Sequence, residues 1–266
     1  SLSSSGEGKK DIEYADGSTT MVSGQYLHFE TTAGSFLIDA ENRLNPKNAA
    51  KKGESPAPAR DETRSAAAPA AAEPLRILAF GDSLTEGYGL PPDQGLVPQL
   101  QRWLKARGHD DVVLVNGGLS GDTAAGGRVR IGFSLTRYDP DAVMVELGGN
   151  DLLLGLSPAM TEENLDSILK QAGQEQKPLL LVGISSPRLS PNLRRDWAAI
   201  WPRLAQRHDA LLMENLYQPL FDQPRDRLPD LLQQDGLHAS AKGVALIVES
   251  LGPKVEALIA KTEAAR

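Results

Sequence analysis

From residue 75 onward the chain alternates short apolar runs with amphipathic stretches. The runs at 75–80, 112–115, 142–147, 179–184 and 210–213 are bounded by polar residues or glycine, the signature of strands buried on both faces. Between them, Leu96, Val97, Leu100, Trp103 and Leu104 share one helical face, as do Leu165, Ile168 and Leu169, and then Trp197, Ile200, Trp201 and Leu204. A last helix begins near Ser240 and carries Val244, Ile247, Val248 and Leu251 ahead of Pro253. Strands alternating with helices predict an α/β fold: a five-stranded parallel sheet, right-handed crossovers and a ligand crevice at the carboxyl ends of the strands. Tryptophans on apolar helical faces read as core.

The chain ahead of residue 75 has a different character. Residues 51–74 hold eight alanines and four prolines and no large apolar side chain, so they cannot feed a core and read as a linker. Residues 1–50 read as a polar tail and a small β-rich extension, with short strands over 11–45 divided by turns at Asp16-Gly17 and Gly34-Ser35. Gly34 to Leu44 resembles, in a short match, the C-terminal end of periplasmic adaptor subunits of metal-efflux pumps. Residues 75–266 form the third segment, the domain that carries the chemistry.

Composition narrows the function. With 266 residues, 40% hydrophobic and 24% charged, the chain can bury a full core, which excludes disordered and small disulfide scaffolds. A net charge of −7 without any Lys/Arg block argues against a grip on nucleic acid. The absence of cysteine removes disulfides, thiolate nucleophiles and cysteine zinc sites. No apolar run is long enough for a transmembrane helix, and the first residues lack a charged stretch followed by an apolar one, so export implies a signal already removed.

The chemistry lies in loops that follow strands. Gly81-Asp82-Ser83-Leu84 places a serine at the carboxyl end of the first strand, a nucleophile position. Asn116 to Thr123 contains glycines whose backbone N–H groups can face an oxyanion, and Gly148-Gly149-Asn150-Asp151 adds an uncharged side-chain donor at the same rim. Asp235 and His238 are three residues apart in one turn, so that the carboxylate can fix the imidazole tautomer. Asp82, Asp122 and Asp151 read as loop organisers. His28, His109 and His208 read as structural, and no pair of histidines has metal-ligand spacing.

These four blocks, GDSL at 81–84, Gly121 in SGDT, GGND ending at 151 and DGLH at 235–238, resemble in order the motifs of the GDSL, or SGNH, hydrolase family. Within it they are similar to bacterial arylesterases and the multifunctional thioesterase, protease and lysophospholipase enzymes. The resemblance spans about residues 75–262. It implies a flavodoxin-like three-layer α/β/α sandwich, with Ser83 as nucleophile, His238 as base and Asp235 orienting it. It also implies an oxyanion hole of the Ser83 and Gly121 backbone N–H groups and the Asn150 amide. No G-x-S-x-G elbow is present.

The expected activity is hydrolysis of carboxylic esters or thioesters through an acyl-enzyme, with no cofactor and no metal, on a small-molecule ester or lipid-like substrate. Leu152, Leu153 and Leu154, in an apolar loop after Asn150, serve either as core or as an acyl-binding surface. A carbohydrate O-acetyl esterase or an O-acyltransferase using the same triad, and a non-catalytic envelope adaptor, stay open as alternatives. The spacer ahead of the domain and the adaptor resemblance point to an exported, periplasmic protein. No protein partner of the extension can be read from the residues.

Overall fold

The computed structural model describes residues 73–266 in full and, of residues 1–72, the backbone of strands alone. The chain divides into two units, Ser1–Ala71 and Ala72–Arg266, each taken here by itself. In the first unit, β1 (Leu2–Ser5), β2 (Lys9–Glu13), β3 (Thr19–Ser23), β4 (Tyr26–Thr31), β5 (Gly34–Asp39) and β6 (Leu44–Pro46) pair in antiparallel succession. The side chains of the adaptor-like stretch, the His28 ring and the linker expected at 51–74, as far as residue 72, lie outside the described residues.

In the second unit the five apolar runs form β7 (Leu75–Gly81), β8 (Val112–Gly118), β9 (Ala142–Glu146), β10 (Leu179–Val182) and β11 (Leu211–Met213). They make one parallel sheet in the order β11-β10-β9-β7-β8. The chain leaves β7 to one side for β8 and then returns to the other side for β9. That reversal opens a crevice at the carboxyl end of β7, where Gly81 pairs with Gly118 of β8 and Glu146 of β9.

Ten helices join and cover the sheet: α1 (Ser83–Glu86), α2 (Leu96–Lys105), α3 (Ala124–Tyr138), α4 (Gly149–Leu153), α5 (Pro158–Ala172), α6 (Pro191–Ala198), α7 (Ile200–Arg207), α8 (Gln218–Phe221), α9 (Leu228–Leu231) and α10 (Ala241–Ala265). The α2 and α10 helices pack on each other over one face, and α3, α5 and α7 pack in series over the other. This is the three-layer α/β/α sandwich that the sequence predicts.

Both faces of the sheet are dry. Leu78, Phe80, Val143, Val145, Leu180 and Val182 have no exposed surface, and each such side chain contributes roughly 1.5–3 kcal/mol of burial. The tryptophans lie in this core, as their spacing predicts. Side-chain caps define the helix starts: Thr123, Ser157, Ser190 and Ser240 accept from backbone N–H groups of α3, α5, α6 and α10, each cap contributing about 1 kcal/mol.

Three details differ from the sequence reading. The face carrying Trp197, Ile200, Trp201 and Leu204 is split between α6 and α7 at Ala199, although all four side chains are buried. The last helix runs through Pro253 to Ala265. Pro253 cannot donate to the Glu249 carbonyl, but burial of Val255, Leu258 and Ile259 beyond it holds the helix to the sheet. Leu152 and Leu153 belong to α4 and only Leu154 follows it, because the Leu152 N–H donates to the Gly148 carbonyl and the Leu154 N–H to the Asn150 carbonyl, which closes a helical turn.

Candidate active site

Ser83 owes its position to a close approach of backbone. A Cβ on Gly81 would stand 2.1 Å from Thr85 Oγ1 and 2.7 Å from the Glu146 carbonyl oxygen, so only glycine lets β7 turn into α1 here. Asp82 caps that turn by accepting from the Leu84 N–H at 3.0 Å. Ser83 is the first residue of α1, its Oγ 2.9 Å from His238 Nε2. On the other side of the ring, His238 Nδ1 lies 2.6 Å from Asp235 Oδ2. The Asp235 Oδ1 accepts from the N–H groups of Leu237 and His238, which folds the loop into the turn that three-residue spacing predicts. Burial pushes the Asp235 carboxyl up, but its hydrogen bonds with the His238 ring and these two N–H groups outweigh it and leave the group below its usual range.

The loops after β8 and β9 meet beside this relay. The Leu119 N–H donates to the Gly81 carbonyl and the Asp122 N–H to the Leu119 carbonyl, so the turn containing Gly121 sits against the end of β7. Asn150 Nδ2, in α4, donates to the Asp122 carbonyl at 2.8 Å and reaches Asp82 Oδ2 at 3.4 Å. Asp151 turns away from the crevice, buried, and accepts from the Ala124 N–H and the Thr161 hydroxyl. It is a loop organiser, as read from the sequence.

A cavity of about 420 Å³ opens from Ser83, Asn150 and His238, a size suited to a small-molecule ligand. Its walls include Leu152, Leu153, Ile184, Leu189, Tyr217, Phe221, Leu228, Leu232 and Leu237. Of the three candidate acyl-contacting leucines, Leu152 and Leu153 line it; Leu154 does not and is two-thirds exposed. Gly121 is likewise not among the lining residues. The wall formed by 184–189, α8 and α9 carries no motif, and the sequence reading did not find it.

Several polar residues that hold the site also escaped that reading. Arg130 of α3 donates to Asp122 Oδ2 at 2.6 Å, to the Gly117 carbonyl at 2.8 Å and to the Gly81 carbonyl at 2.7 Å, with its guanidinium over the Phe80 ring. Burial raises the Asp122 carboxyl, and Arg130 opposes the shift. Glu146, fully enclosed in β9, accepts from the Thr85 hydroxyl at 2.8 Å. Burial, and then the charge of Asp82, hold Glu146 well above the usual carboxylate range. Asp82 is itself raised to about 6, chiefly by burial. Tyr88 lies against the His238 ring, centroids 4.8 Å apart. Among the described residues no group of carboxylates and histidines is placed to hold a metal ion, and no helix is long and apolar enough to cross a membrane.

Parallel sheet, serine at the strand end and imidazole above it define the serine hydrolases of flavodoxin-like fold. Residues 79–246 match the GDSL-like lipase/acylhydrolase family, and the chain belongs to that family. It is 34% identical to Esterase TesA of Pseudomonas aeruginosa over 184 residues, which cover 69% of this chain and 89% of that one. It is 32% identical to Thioesterase 1/protease 1/lysophospholipase L1 of Escherichia coli K12 over 191 residues, covering 71% of this chain and 86% of the relative. The crystal structure of AlinE4, an SGNH-hydrolase family esterase, superposes with a TM-score of 0.58 at 38% identity, covering 70% of this chain and 97% of AlinE4. The protein is a serine esterase, a carboxylic ester hydrolase acting on small-molecule esters.

Proposed function

We propose that the esterase acts through an acyl-enzyme on Ser83 and that its substrates carry an acyl chain long enough to fill the leucine-lined cavity. The observation that carries this reading is the relay Asp235–His238–Ser83, at 2.6 and 2.9 Å, opening into that apolar space. His238 takes the Ser83 proton as Oγ attacks the carbonyl carbon, and Asp235 holds the imidazole in the required tautomer. The tetrahedral oxyanion is held by the backbone N–H groups of Ser83 and Gly121 and by the Asn150 amide, whose long contact to Asp82 Oδ2 is the bond a substrate oxygen displaces. His238 then returns the proton to the leaving alcohol, and water attacks the acyl group by the same route.

One relative is named a thioesterase and lysophospholipase, which adds acyl thioesters and lysophospholipids to the substrate classes worth testing. The Ala/Pro-rich character of residues 51–74 supports an exported, periplasmic enzyme, and fractionation that finds it wholly in the cytoplasm overturns that placement.

The test is turnover of p-nitrophenyl esters from acetyl to palmitoyl by wild type and by Ser83→Ala. Wild type is expected to prefer an intermediate chain length, and Ser83→Ala to lose at least ~10³-fold in kcat. Full turnover by Ser83→Ala would remove the acyl-enzyme, and a preference for acetyl would remove the acyl-chain reading.

A further inference from the structure

The loop that carries His238 is held near its base by the Gln233 N–H on the His238 carbonyl and the Ser240 N–H on the Leu231 carbonyl, and from across the site by one phenol oxygen. The Tyr217 hydroxyl donates to the Leu237 carbonyl at 2.9 Å and accepts from the Ala239 N–H at 3.1 Å, so it grips the backbone on both sides of the imidazole. Ala239 is buried, and among the described residues its N–H makes no other hydrogen bond. The contacts from Asp235 are made within the same turn and set its local shape. Tyr217 reaches in from the connection between β11 and α8 and, together with the Gln233 amide, which donates to the Tyr88 and Ala239 carbonyls, fixes where that turn stands relative to the sheet. Its ring does a second job: it stacks on Phe221, centroids 6.0 Å apart, and both rings line the cavity.

We propose that Tyr217 is a positioning residue for His238, and that through its ring it couples the filling of the acyl cavity to the placement of the base. The proposal rests on the reading of Ser83 and His238 as nucleophile and base. A base displaced by about 1 Å costs on the order of 10²-fold in rate, and Tyr217→Phe deletes both backbone bonds while leaving the ring in the wall. Burial pushes the Tyr217 hydroxyl above its ordinary range, so it stays protonated and able to donate.

The experiment measures kcat per active site, with sites counted by the p-nitrophenol burst, for wild type, Tyr217→Phe and Ser83→Ala. Tyr217→Phe is expected to lose about 10–100-fold in kcat per site, with KM for the preferred ester within about twofold. A merely structural role would reduce the number of titratable sites and leave the rate at each one unchanged, and that result overturns the proposal. Turnover surviving in Ser83→Ala overturns the serine reading and the clamp with it, whereas a dead Ser83→Ala beside a wild-type rate in Tyr217→Phe overturns the clamp alone. Amide hydrogen exchange in the wild type supplies a test that needs no variant: Ala239 is expected to be protected relative to Gln234 in the same loop, an exposed residue whose N–H has no partner among the described residues. Equal exchange at the two positions would show that the phenol does not hold the turn.

Discussion

Arg130 joins the ends of two strands to a third loop. One guanidinium binds the last carbonyl of β7, the Gly117 carbonyl of β8 and the Asp122 carboxylate, and Asp122 in turn receives the Asn150 amide on its carbonyl. With Asp122 almost fully buried and Arg130 one-fifth exposed, removing the cation leaves a carboxylate without its partner. Arg130→Ala is expected to cost about 3 kcal/mol or more; Arg130→Lys costs less, because it keeps a cation beside Asp122, but it still destabilises, because an ammonium cannot reach three acceptors as a planar fork does. Urea unfolding checks the order. Glu146 makes a different prediction. Its carboxyl is raised well above 4.5, so from about 4.5 upward the folded state keeps a proton that the unfolded state releases, and stability declines as pH rises toward the raised value. Glu146→Gln mimics the protonated form and is expected to flatten that decline while retaining the contact with Thr85. A steeper fall in melting temperature with pH in the variant would contradict it. Neither residue was legible: Arg130 in a helix reads as a surface cation, and Glu146 sits inside a run that reads as a plain buried strand.

At the scale of elements, what the sequence revealed and what it concealed follow from how local each signal is. A parallel strand covered on both faces must be apolar throughout, so β7 to β11 stand out as runs whatever their partners are. The loops at 81–84, 148–151 and 235–238 carry their own geometry in Gly, Asn and Asp. The cavity wall is the opposite case. Leu189, Phe221 and the pair Leu228 and Leu232, at the start and the C-cap of α9, come from three separate segments, and only tertiary contact makes them one surface. The α4 helix shows how strict the local rule can be. Gly148, at φ 114°, immediately precedes it, and a Cβ there would stand 2.9 Å from the Trp201 ring. Gly148→Ala therefore meets both backbone strain and an overpacked core, and is expected to cost about 2 kcal/mol or more in thermal unfolding. Because α4 carries Asn150, kcat should fall with it; a variant as stable and as active as wild type would show that α4 tolerates another conformation.

At the scale of the whole molecule, every described residue of the site belongs to the second unit. The relay, the turn containing Gly121, the α4 amide and the cavity wall all fall between residues 82 and 238, and the buried hydrophobic core runs from Leu75 to Ile259. A unit with its own core and all of its chemistry is expected to fold alone. A chain beginning at residue 73 should retain the kcat/KM of the full chain on a soluble ester within about a factor of two. It should also unfold in a single cooperative transition, because the five strands share one sheet and the helices of each face pack on one another. Calorimetry and p-nitrophenyl ester turnover on the two chains decide the matter. If the shorter chain loses turnover while keeping its transition, residues 1–72 act on the site itself; if it loses the transition, they are part of the fold that builds it.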